Sequence, residues 1–112
     1  VSRDAEVVRQ YVADPLVFHG KMSARMLREL FRGMQQVQND AARIALPLLI
    51  LHGEADVLTS PQGSRYLHDN VSSRDKTLTI YPGLYHEIFN EPEREQVLLD
   101  MLNWCDARLP VT

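Results

Sequence analysis

The stretch Leu48-Leu49-Ile50-Leu51-His52-Gly53-Glu54-Ala55-Asp56 constrains this chain more than any other. Four consecutive apolar residues are too few for a helix, and the run is bounded by Pro47 on one side and Gly53 on the other. Such a run predicts a strand from Pro47 to His52, buried on both faces. Strands of that kind belong to parallel sheets covered by helices, where ligands bind beyond the strands' carboxyl ends. Asp56 falls in that position. It also fits a local role, because Asp commonly closes a turn with its own side chain.

The remaining pattern supplies the partners of this strand. Ser2 to Val12 reads as a helix with Ser2 as its cap and Val7, Val8, Tyr11 and Val12 as its stripe. Asp14-Pro15 ends it, since a residue before proline avoids the helical region. A longer helix starts near Ser23, carries Met26, Leu27, Leu30, Phe31, Met34 and Val37 on one face, and is read on toward Ala45. That face is expected to pack. After the first strand, Ser60 caps a helix with Pro61 at its first position, and Tyr66, Leu67 and Val71 are expected to face inward. Lys76 to Tyr81 is a second strand, and Pro82-Gly83 punctuates it. The last helix begins near Pro92 with the stripe Val97, Leu98, Met101, Leu102 and Cys105, where Cys105 reads as a packing residue.

From Pro47 onward the order is therefore strand, helix, strand, helix, a unit whose crossover is right-handed by rule. Two strands do not make a stable parallel sheet alone. The chain is accordingly expected to be part of a larger α/β domain. It begins with Val1, so an N-terminal portion is expected to be missing, which leaves targeting signals and compartment open. The 112 residues carry a formal charge of −3 without a basic cluster, which argues against nucleic acid as a partner. No apolar run approaches the roughly 20 residues of a membrane span. Cys105 stands alone, which excludes an internal disulfide framework.

Chemistry concentrates at the two strand ends. Asp56 follows the first strand and His86 the second, so parallel pairing puts both at one edge. An Asp accepting from one imidazole nitrogen sets the tautomer and leaves the other nitrogen as a base. A loop histidine bonded to backbone is the alternative. His86-Glu87-Ile88-Phe89-Asn90 begins like the H-E-x-x-H zinc motif but has Asn90 where the second histidine belongs. His19, His52 and His68 show no ligand spacing with Cys105, so neither a metal nor another cofactor is expected. His52 and Gly53 read as turn-shaping residues.

The runs LLILHGEADVLTSP and KTLTIYPGLYHEIFNEPE resemble the acid and histidine segments of the α/β-hydrolase fold. More narrowly they resemble the monoacylglycerol lipase and lysophospholipase group of serine hydrolases, and DPLVFHGKMSAR resembles that group's return from cap to core. The resemblance implies the C-terminal part of such an enzyme. Residues 1–45 would be the end of a helical cap and its return helix, and residues 46–112 the C-terminal part of the core. It implies Asp56 as the triad acid and His86 as the base, with Leu58, Leu84 and Ile88 as an apolar wall and Leu58 against an acyl chain. The implied substrate is a lipid-like ester, a monoacylglycerol or lysophospholipid. Another ester or peptide substrate, or a silent hydrolase-like binder, stays open. Peripheral membrane contact and homo-oligomerisation also stay open. The G-x-S-x-G elbow needs glycines four apart, and Gly20, Gly33, Gly53, Gly63 and Gly83 include no such pair. The nucleophile is therefore expected upstream of this chain, which alone should be inactive.

Overall fold

A computed structural model describes residues 1–109. Its elements are α1 (Ala5–Ala13), α2 (Ala24–Asp40), β1 (Leu48–Gly53), α3 (Pro61–Asn70), β2 (Lys76–Tyr81) and α4 (Arg94–Asp106). Single 3-10 turns lie at Ala41–Arg43 and Ile88–Asn90. β1 and β2 pair in parallel, from Leu48 opposite Lys76 to Gly53 opposite Tyr81, so both strands end at the same edge. The strand–helix–strand–helix order read from the sequence is the order observed.

Local chemistry explains the boundaries. Ser60 Oγ accepts from the Gln62 N–H and Pro61 fills the first helical position, which starts α3. Lys76 Nζ donates to the carbonyls of His68 (2.6 Å) and Val71 (3.2 Å), fastening the start of β2 to the end of α3. Successive strand residues point to opposite faces. Thr77 and Tyr81 share the face that meets α4, through Trp104 Nε1 to Thr77 Oγ1 (3.0 Å) and Tyr81 OH to Asp100 Oδ2 (2.9 Å). The core cluster is Tyr81, Leu84, Ile88 and Val97, with Leu51 packed against it. It therefore sits directly beneath the loop that carries His86.

Several expectations are corrected. β1 is half-buried up to Gly53 rather than enclosed on both faces, because a two-stranded sheet leaves each strand an open edge. The cap of α1 is Asp4, whose carboxylate accepts from Glu6 and Val7, while Ser2 Oγ instead donates to the Asn90 carbonyl (2.9 Å). The α2 helix stops at Asp40 and tightens into the 3-10 turn; Ile44 is already extended. Tyr66 is exposed, whereas Val71 is buried. On α4 only Val97 is buried; Leu98, Leu102 and Cys105 are exposed, because the helix meets the sheet through a narrow strip. The apolar face of α2, from Met26 to Val37, is also exposed in this chain. No described helix is long and apolar enough to cross a membrane.

Candidate active site

The two strand-end loops are locked to each other by backbone. Glu54 N–H donates to the Tyr81 carbonyl (2.9 Å) and Ala55 N–H to the Leu84 carbonyl (3.0 Å). This approach needs a glycine at the end of β1. A Cβ on Gly53 would stand 2.2 Å from the Tyr85 carbonyl oxygen and 2.4 Å from that of Leu84. On the other loop, Tyr81-Pro82-Gly83-Leu84 turns sharply, with Gly83 at φ +74° and Leu84 N–H to the Tyr81 carbonyl at 3.4 Å. Proline second and a left-handed glycine third are what a type II turn requires. The turn swings the following residues back over the strand edge and delivers His86 to Asp56.

The Asp56 carboxylate is the centre of the site. Oδ1 accepts from the N–H groups of Leu58 (2.8 Å) and Thr59 (3.0 Å), so Asp56 does close its own turn. Oδ2 accepts from Thr59 Oγ1 (2.7 Å) and lies 2.8 Å from His86 Nδ1. The Asp56 side chain is 2% exposed and that of His86 40%. Burial by itself would raise the Asp56 pKa, but the bonds from His86, Thr59 and Leu58 outweigh it and hold the carboxyl well below its usual range. Asp56 is therefore an anion under a half-exposed imidazole. Because an ionised carboxylate only accepts, Nδ1 of His86 carries a proton and Nε2 is left as the basic nitrogen.

Two neighbours were not singled out for this role from the sequence. Thr59 contacts Asp56 three residues away, and only the Asp-x-x-Thr spacing hints at it. His52 is read above as a turn residue; its Nε2 lies 3.1 Å from the Thr59 carbonyl and 3.2 Å from Asp56 Oδ2, and its Nδ1 lies 2.7 Å from Ser64 Oγ. Leu58 is 59% exposed beside Asp56, while Leu84 and Ile88 are buried with Tyr81 and Val97, because the His86 loop must cover the start of α4.

The family model described as serine aminopeptidase, S33, matches residues 1–93. The chain belongs to this family. Among serine aminopeptidase S33 relatives, a monoacylglycerol lipase of Mycolicibacterium smegmatis is 50% identical over 97% of this chain and 39% of its own length. A caffeoylshikimate esterase of Arabidopsis thaliana is 37% identical over 96% of the chain and 33% of its own length. The crystal structure of Paleococcus ferrophilus monoacylglycerol lipase superimposes with a TM-score of 0.86 at 36% identity, covering 94% of this chain and 41% of that one. The fold is that of an α/β-hydrolase. The chain spans about two fifths of the length of the first of these relatives.

Proposed function

We propose that this chain supplies the acid and the general base of a serine ester hydrolase whose nucleophile lies in polypeptide outside these 112 residues. The observation that carries the reading is the 2.8 Å approach of buried, ionised Asp56 to His86 Nδ1 at the shared edge of two parallel strands. In the reaction, a serine attacks the ester carbonyl while His86 Nε2 takes its proton. The imidazolium then returns that proton to the leaving alcohol, and the acyl-enzyme is hydrolysed by water activated in the same way. Asp56 orients the ring and stabilises its charged form without itself taking the proton. By itself the chain has no turnover.

The substrate class is a monoacylglycerol or lysophospholipid; the names of the relatives support the first, and exposed Leu58 next to the acid supports an acyl chain in either. Residues 1–45 serve in this reading as the end of a cap and its return helix. A second reading keeps the triad and changes the acyl compound, supported by the plant esterase among the relatives.

The test is turnover of the complete polypeptide on a panel of monoacylglycerols, lysophospholipids and short-chain esters. His86→Ala lowers kcat by several orders of magnitude, because the general base is gone. Asp56→Asn keeps the shape but presents an amide donor to Nδ1, favouring the wrong tautomer, with a loss on the order of 10⁴ in kcat. Near-normal turnover with a large drop in melting temperature would make the pair structural. Binding of the panel without turnover in the unsubstituted protein would make it a silent hydrolase-like binder.

A further inference from the structure

We propose that Thr59 is a positioning residue of this site, its hydroxyl bridging Asp56 and His86 and thereby holding the carboxylate against the ring nitrogen that carries the proton. The inference rests on the reading of Asp56 and His86 as acid and base. Thr59 Oγ1 lies 2.7 Å from Asp56 Oδ2 and 3.3 Å from His86 Nδ1, and Nδ1 lies 2.8 Å from Asp56 Oδ2. The three atoms close a triangle. A hydroxyl has one proton, and an ionised carboxylate can only accept, so that proton goes to Asp56. Toward His86 the Thr59 oxygen is then an acceptor. Nδ1 thus faces two acceptors at once, and the tautomer with the proton on Nε2 would put its lone pair against both.

The hydroxyl does a second job on the carboxylate. Oδ1 is held by two backbone N–H groups, but Oδ2 has only side-chain partners. Nearby, His52 Nε2 bonds to the Thr59 carbonyl (3.1 Å) and stands 3.2 Å from Oδ2. The Thr59 carbonyl is an acceptor, so Nε2 of His52 carries the proton of that bond. The short Thr59 bond holds Oδ2 beside His86. Ser64 on α3, 2.7 Å from His52 Nδ1, holds the other end of that ring. The backbone N–H of Thr59 makes the turn independently of its side chain, so the hydroxyl can be removed while the turn remains.

Thr59→Val retains the β-branched shape and removes only the hydroxyl. In the complete polypeptide it lowers kcat about tenfold with KM unchanged, as expected for one lost hydrogen bond to a charged group. Thr59→Ser restores kcat. Nitrogen NMR of the labelled histidines shows His86 protonated at Nδ1 in all three proteins, and the Nδ1 proton exchanges with water faster in Thr59→Val than in the unsubstituted protein or Thr59→Ser. Should Thr59→Val fail to fold, Thr59→Ala is measured instead, with the same loss expected. The inference is overturned if Thr59→Val matches the unsubstituted protein in kcat and in Nδ1 proton exchange while His86→Ala is inactive, or if Thr59→Ser is as impaired as Thr59→Val. Full activity in His86→Ala would instead overturn the acid–base reading, and this inference with it.

Discussion

Asp56 divides its two oxygens between tasks that compete when only the sequence is read. Oδ1 closes the turn and Oδ2 meets Thr59 and His86, so one side chain both caps a turn and partners a histidine. The turn bonds hold the carboxylate at a fixed orientation, which is what a partner for a histidine needs. Gly53 is the other residue on which the geometry depends. Its neighbours across the gap are backbone carbonyls, which cannot rotate away as a side chain could. Gly53→Ala therefore pushes the His86 loop off the end of β1 and breaks the Ala55 to Leu84 bond. A destabilisation of roughly 1–3 kcal/mol is expected, the range for overpacking, together with loss of turnover. Thermal melts and ester assays of the complete polypeptide check both. An unchanged melting temperature would mean that the two loops do not need this close approach.

At the scale of elements, the least expected connection joins the start of the chain to the segment just before α4. Glu87 N–H donates to the Val1 carbonyl (3.0 Å), and Arg3 N–H and Nε reach the two oxygens of Glu91 (2.6 and 2.5 Å). Arg3 also pairs with Glu93. Glu91 is fully buried. Burial would raise its pKa, but the bonds from Arg3 outweigh burial and leave it lowered from 4.5. The folded pKa lies below the unfolded one, so this stabilisation is fully present above about pH 4.5 and is lost as pH falls through the folded value. Asp56 acts in the same direction below about 3.8. Melting temperature measured against pH should therefore fall on acidification below about 4.5. Arg3→Ala removes the partner that lowers the Glu91 pKa, so the variant should be less stable at neutral pH and lose less of its stability on acidification. A pH profile identical to that of the unsubstituted protein would show that the Arg3–Glu91 pair contributes nothing.

For the whole molecule, the ratio of core to exposed apolar surface governs behaviour. Six apolar residues are buried among those described, against 22 large apolar side chains that are exposed. The radius of gyration is 16.3 Å, where a compact chain of this length would have about 13 Å. A core that small cannot offset the entropy of ordering the chain, since both terms grow with the number of residues fixed. Prepared by itself, the 112-residue chain should melt broadly, bind an apolar fluorescent dye and associate with concentration. Differential scanning calorimetry with dye titration checks this. A sharp two-state transition from a monomer that binds no dye would contradict it.

What the sequence determined by itself is local. The apolar run from Leu48, the Ser60-Pro61 start and the Pro82-Gly83 break each encode an element or a turn within a few residues, and β1, α3 and β2 lie where these signals put them. Parallel pairing then follows from connectivity, because a crossover helix leaves the strands pointing the same way. Asp56 and His86 were legible for the same reason: each directly follows a strand, so placing the strands places the residues. What only the tertiary structure decided depends on contacts distant in sequence. The burial of Glu91 by Arg3 spans 88 positions, and no local pattern distinguishes it from an exposed acid. Burial of Leu84 and Ile88, exposure of Cys105, and the meeting of Thr59 with His86 are likewise set by which faces come together. Periodicity states that a face is apolar; only packing states what, if anything, covers it.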